Sequence, residues 1–182
     1  FFKTYSQKII KHDLINVFAY PNLNELPELK KIILNFGYQK SNLKHIISGL
    51  LALEFLSSWK GGITKSKHLN LFLKIKKGNP VGCKIVLKKN IMFFFYLKLT
   101  TSILPKIKQY KVFQHEGDLN NFKSISFQLK SPLLFIELEN HFQLFKEIPR
   151  LDITLLTTSK SQKELFFYLN QLNYYSKCNS IW

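Results

Sequence analysis

Between Leu69 and Lys88 the chain alternates apolar and polar residues with a period of two, which restricts what this stretch can fold into. Leu69, Leu71, Leu73 and Ile75 fall on one face of an extended strand, and Asn70, Phe72, Lys74 and Lys76 on the other. Cys83, Ile85 and Leu87 repeat the apolar face, while Lys84, Val86 and Lys88 repeat the outward one. Between them, Lys77-Gly78-Asn79-Pro80-Val81-Gly82 supplies two glycines for special backbone angles and a proline that cannot donate to a ladder. The pattern predicts a β-hairpin with one face in a core and a lysine-rich face, Phe72 included, turned outward.

The charge around this hairpin has one sign. Lys60–Asn90 holds nine lysines and no carboxylate, and the acid-free interval from Phe55 to His115 holds thirteen of the lysines behind a net charge of +16. A solvated face that happens to be basic would explain a short lysine run. Over so long an interval the self-repulsion favours a polyanionic partner, and nucleic acid above others. Twenty-six of the 27 basic residues are lysine, with Arg150 the exception. A point charge suits backbone and shape recognition more than the reading of base edges, which favours folded RNA over a DNA sequence.

A chain of 182 residues with 46% hydrophobic content and 17 phenylalanines has the means for an ordinary core. One compact domain over residues 1–182, burying roughly 70% of its unfolded surface, is the expectation. The richness in Lys, Asn, Phe, Ile, Leu and Tyr resembles the product of A/T-rich coding, as in an organelle or a low-GC bacterium. Cys83 and Cys178 are too far apart in sequence for a zinc-site or disulfide pattern, and read as reduced thiols. No apolar run reaches the ~18–20 residues of a membrane span. The first residues show neither a signal peptide nor an Arg/Ser-rich presequence, so an organellar form would be locally encoded or already processed.

The remaining segments predict an α+β domain: a largely antiparallel sheet with helices on one face and an open basic face. Residues 1–20 suit an amphipathic helix with Ile9, Ile10, Leu14, Val17 and Phe18 apolar. Lys30–Phe36 reads as a strand, with Ile32, Leu34 and Phe36 inward, ended by Gly37. Ser41 is placed to cap a helix whose buried stripe is Leu43, Ile46, Ile47, Leu50 and Leu51. Gly61-Gly62 marks a flexible or closely approached loop. Asn90 caps, and Pro105 ends, a helix over 91–104 that is apolar nearly all round and so sandwiched in the core. Pro105–Asn121 is polar and irregular, with Lys106, Lys108 and Lys111 extending the basic surface. Phe122–Leu129 and Leu133–Leu138 are short strand candidates. Leu151–Thr158 is a clearer strand, and Ser161-x-x-Glu164 forms a capping box for a last helix with Leu165, Leu169 and Leu172 inward.

Little here suits an enzyme, and no cofactor is implied. The five histidines form no ligand-spaced pair, and no phosphate loop, nucleophile elbow or dinucleotide fingerprint occurs. A metal-dependent nuclease would need Glu116, Asp118 and Asp152 to converge, and scattered surface acids are the simpler reading. A basic membrane-surface protein would want an exposed apolar helix face beside its lysines, whereas these lysines fall on strands and loops. RNA binding remains. Lys31, Lys74, Lys84 and Lys88 would neutralise phosphates, with Trp59 and Phe72 available for stacking.

Several blocks resemble a known family. Pro27–Gly37 (PELKKIILNFG) resembles P-x-x-x-K-I-x-L-N-x-G, and Ile63–Lys67 (ITKSK) resembles ITKA[RK]. Asn79–Lys88 (NPVGCKIVLK) resembles x-P-I-G-C-K-V-T-L-R, and Leu104–Lys108 (LPKIK) resembles x-P-R-[IV]-R. Leu151–Thr154 with Thr157–Ser159 resembles LDITxxTTA. In this order and spacing, over nearly the whole chain, the blocks resemble the universal large-subunit ribosomal protein family that binds 5S rRNA, the L-five family. The resemblance implies a non-enzymatic ribosomal protein of the central protuberance, holding 5S rRNA and large-subunit rRNA on its open sheet face. On matching positions it implies rRNA contacts at Asn35, Lys60, Thr64, Lys65 and Lys67. It also implies a loop, Lys76, Lys77, Gly78, Asn79, Pro80, Val81 and Gly82, facing the P-site tRNA. Neighbouring central-protuberance proteins and a small-subunit head protein would be its other partners.

The sequence also departs from the family. Trp59 stands where glutamine is usual and Val86 where threonine is, while Gly117–Phe127 lacks the glycine-rich FDGRGNY pattern. That divergence fits a mitochondrial ribosome, with a plastid or a low-GC bacterial cytoplasm as alternatives. A free-standing RNA-binding regulator with the same sheet is the other functional reading.

Overall fold

A computed structural model describes residues 6–38, 42–107 and 123–179, with side chains from residue 8 and up to residue 172. A wide helical turn, Ser6–Ile10, leads into α1 (Lys11–Val17). Then come β1 (Leu29–Gly37), α2 (Leu43–Ser57), β2 (Gly62–Lys65), β3 (Pro80–Leu87) and α3 (Lys89–Lys98). β4 (Ser124–Leu129), α4 (Ile136–Glu139), α5 (Phe142–Phe145), β5 (Leu151–Thr157) and α6 (Gln162–Asn179) complete the order. The strands form one antiparallel sheet in the order β2-β3-β1-β5-β4.

Packing gathers the described residues into two compact units, one within 32–87 and 126–154, the other within 6–31, 88–107, 123–125 and 155–179. In the first, β1 and β3 pair Ile32 with Leu87, Leu34 with Ile85 and Phe36 with Cys83, and all six side chains are buried. The intervening pairs, Ile33 with Val86 and Asn35 with Lys84, occupy the opposite, more open face. Helix α2 covers the apolar side of β3, where the Cys83 thiol donates to the Ile46 carbonyl at 3.4 Å. Phe55 meets Phe145 edge-on at 5.8 Å, and the His45 imidazole lies 3.2 Å from the Glu147 carboxylate. Each apolar side chain so buried contributes roughly 1.5–3 kcal/mol.

In the second unit, α6 packs against α1 and the wide turn after α3. Ile10 and Leu14 are buried, as are Leu165, Leu169 and Leu172. The Leu29 N–H donates to the buried Tyr168 hydroxyl at 3.1 Å. The predicted capping box is formed: Ser161 Oγ accepts from the Glu164 N–H and Glu164 Oε2 from the Ser161 N–H, both at 3.3 Å.

Several expectations are corrected. Leu69–Lys76 is a turn rather than a strand: Leu69, Leu71 and Leu73 are exposed, Phe72 is 99% exposed, and Ile75 alone of its predicted apolar face is buried. The hairpin is β2 with β3, joined by residues 66–79. The stripe of α2 keeps Ile46 of the expected set but otherwise lies on Gly49, Ala52, Leu53, Leu56 and Ser57, leaving Leu43, Ile47 and Leu51 exposed and Leu50 half-buried. Asn42, rather than Ser41 (outside the described residues), caps this helix, accepting the Lys44 N–H at 3.2 Å. Helix α3 starts after Lys88, not Asn90, and is not sandwiched all round, since Phe94 is 74% exposed. Residues 133–138, read as a strand, fold as a tight turn over Pro132–Leu134 followed by α4.

Smaller differences follow the same packing. Ile9 and Val17 of the opening helix face solvent. Pro105 sits in a short turn, Leu104–Lys106, after the wide turn Leu99–Ile103 that continues α3. The backbone of Cys178 belongs to α6. Lys108, Lys111, Glu116, Asp118 and most of the 117–127 loop lie outside the described residues.

Candidate nucleic-acid interface

The open face of the first unit holds a trough of about 940 Å³. The register of β1 against β3 sets Asn35 directly across from Lys84 on its floor. Thr64 and Lys65 arrive from β2, and Ser66 and Lys67 from the chain just beyond it. β2 can approach this closely because Gly82 lies opposite Thr64. The β2–β3 register shifts between Thr64 and Lys65, where the edge strand bends away.

β4 and β5 complete the trough with Ser126, Gln128, Asp152 and Thr154. Ser126 and Thr154 share a hydroxyl hydrogen bond of 3.0 Å. Gln128 Nε2 donates to Asp152 Oδ1 at 2.7 Å, and Asn35 Nδ2 donates to Asp152 Oδ2 at 3.4 Å. Arg150 donates to Gln128 Oε1 at 3.3 Å. The half-buried Asp152 carboxylate is thus held by two uncharged amides inside a trough lined by exposed Lys65, Lys67 and Lys84.

Of the residues singled out in the sequence, Asn35, Thr64, Lys65, Lys67 and Lys84 share this trough, and Val81 lines it too. Lys74 and Phe72 project from the 66–79 connection, and Trp59 and Lys60 are exposed at the turn after α2. Lys31 and Lys88 belong to the second unit, Lys31 half-buried and Lys88 exposed as the cap of α3. Of the expected loop, Lys76, Lys77, Gly78 and Asn79 do form a turn, with Gly78 at φ +88°. Pro80, Val81 and Gly82 are instead the first residues of β3. Gly82 is needed for space and not for a special angle. A Cβ there would stand 2.5 Å from the Phe36 carbonyl oxygen and 2.8 Å from Thr64 Oγ1.

Ser126 and Gln128 carried no signal in the sequence; Asp152 and Thr154 stood in the block that resembles LDITxxTTA, but without a role at the site, and Asp152 read there as a scattered acid. Among the described residues no group of three or more His, Cys, Asp or Glu is placed to hold a metal ion. Nor is any described helix long and apolar enough to cross a membrane.

A family model described as the C-terminus of the ribosomal L5 family matches residues 80–175. Large ribosomal subunit protein uL5m of Reclinomonas americana is 34% identical over 164 residues, covering 89% of this chain and 90% of the relative. Large ribosomal subunit protein uL5 of Wigglesworthia glossinidia brevipalpis is 31% identical over 88% of this chain and 90% of its own. Large ribosomal subunit protein uL5c of Chlorokybus atmophyticus is 31% identical over 87% and 85%.

Proposed function

Because this chain belongs to the ribosomal L5 family, it is a non-enzymatic protein of the large ribosomal subunit, and we propose that it binds 5S rRNA in the central protuberance through the trough. The observation that carries this reading is the pairing of Asn35 with Lys84 on adjacent strands, bordered by Lys65 and Lys67. Ammonium groups there neutralise backbone phosphates, while the amide and hydroxyls meet ribose and base edges. Trp59 and Phe72, both exposed aromatics, serve as stacking platforms.

The 66–79 connection reaches toward the P-site tRNA in this proposal. Its shape supports that role. The Ser66 N–H donates to Asn79 O at 2.9 Å and the Gly78 N–H to Ser66 O at 3.0 Å, closing its base. Asn70 and Ile75 bridge its tip. Lys74, Lys76 and Lys77 are all exposed on it. Neighbouring central-protuberance proteins and a small-subunit head protein complete the proposed surroundings. We place the protein in a mitochondrial ribosome, supported by the relative named uL5m and by the A/T-type composition.

Sedimentation tests the assignment. In a high-magnesium gradient the protein should travel with large subunits and 5S rRNA. A soluble pool free of ribosomes would favour an independent RNA-binding regulator instead.

A further inference from the structure

An acid at the centre of a polyanion-binding face is out of place unless it recognises something. Asp152 is half-buried, and its hydrogen-bond partners among the described residues are the amides of Gln128 and Asn35, not a lysine. Placed beside phosphates, an uncompensated carboxylate costs binding energy. It can lower the energy only where it meets hydrogen-bond donors.

The geometry fixes which acceptors are free. Gln128 donates through Nε2 to Asp152 and accepts at Oε1 from Arg150, so its amide orientation is set from both ends. Asn35 gives its Nδ2 to the other carboxylate oxygen. Each Asp152 oxygen therefore accepts one hydrogen bond from the protein, from the strands on either side of β5, and keeps a further lone pair, so that the carboxylate offers an acceptor at each oxygen. Unpaired guanine presents the matching edge, with N1–H and the N2 amino group side by side. Adenine puts an acceptor, N1, beside its amino donor, uracil flanks its single N–H with carbonyls, and cytosine and a ribose hydroxyl each supply a single donor group.

We propose that Asp152, oriented by Gln128 and Asn35, is the specificity-determining residue of the trough and pairs with the Watson–Crick edge of one unpaired guanine in the bound RNA. The inference rests on the reading of the trough as an RNA-binding face. Lys65, Lys67 and Lys84 supply affinity without sequence preference, and Asp152 chooses the base.

The test uses the full chain and an RNA hairpin presenting one loop guanine, alongside the same hairpin with adenine or inosine at that position. Wild-type protein should prefer guanine over adenine by roughly 5–150-fold, the range of a good bidentate base contact. Inosine, which lacks only the amino group, should fall between. Asp152→Asn should abolish the preference while leaving the salt dependence of binding unchanged. The inosine arm needs no protein variant, so a folding defect cannot mimic the result. Binding with equal affinity for all three hairpins overturns this inference and leaves the RNA-binding face standing, as does a guanine preference that survives Asp152→Asn. Failure to bind any hairpin overturns both.

Discussion

Gly82 lies so close to Phe36 across the β1–β3 ladder that a Cβ on it would sit 2.5 Å from the Phe36 carbonyl oxygen. The obstacle is backbone and cannot rotate away. Gly82→Ala should therefore cost about 1–3 kcal/mol, the usual range for overpacking. The urea midpoint should fall accordingly. Gly78→Ala tests a different constraint, its positive φ, and has open space around it.

Phe72 and Ile75 are three residues apart and should behave oppositely. Phe72 is 99% exposed, and Phe72→Ala should change stability by no more than about 0.5 kcal/mol. Ile75 is 5% exposed, and Ile75→Ala should cost about 2–5 kcal/mol. Equal losses in chemical denaturation would contradict this placement of the two side chains. In RNA binding the order should reverse, since the proposed stacking of a base on Phe72 is worth roughly 1–3 kcal/mol.

The Ser161–Glu164 box closes the first turn of α6 reciprocally. Ser161→Ala should cost about 0.5–2 kcal/mol, a drop of a few degrees in Tm for a chain of this size. The expected loss is smaller in the Thr variant, which keeps an accepting oxygen.

Alkaline pH should weaken the fold through Cys83. Burial pushes its thiol up from 9.0 to about 11, against which the neighbouring Tyr38 hydroxyl acts in the lowering direction. The folded state thus holds a proton that the unfolded chain has already released. The contribution is fully present below about pH 9 and is lost as pH rises through about 11. Urea midpoints at pH 8 and pH 10.5 should differ, and Cys83→Ala should reduce the difference. Tyr20, raised to about 12 by burial and then by the Glu164 carboxylate, acts in the same direction at higher pH.

How far the sequence could be read varied with how strongly it excluded alternatives. β1, the second half of the hairpin and β5 were legible because buried aliphatics alternate there with lysine, asparagine or aspartate, leaving one possible face. Leu69–Lys76 shows the same alternation but folds otherwise. Asn70 Oδ1 accepts the Leu73 N–H at 3.2 Å, Lys74 takes a left-handed conformation at φ 53°, and the segment closes on itself. Helix α2 carries its leucines and isoleucines on more than one side, so its periodicity could not say which side is buried. Pro132 turned 133–138 away from a strand by opening a tight turn. The lysine side of the trough was visible as an acid-free interval. The pairing of Gln128 with Asp152 was not, because 24 residues separate them and only the pairing of β4 with β5 brings them together.

The central claim is that Lys65, Lys67 and Lys84 around Asn35 neutralise RNA phosphates. Its most direct test is the affinity for 5S rRNA across a salt series, for wild-type protein and for the triple Lys→Glu variant. With about 6–10 phosphates neutralised, wild-type affinity should fall ~10³–10⁵-fold between 50 and 200 mM salt, and the slope of log K against log salt should shrink by about 2–3 in the variant. An unchanged slope and affinity in a folded variant would contradict the account.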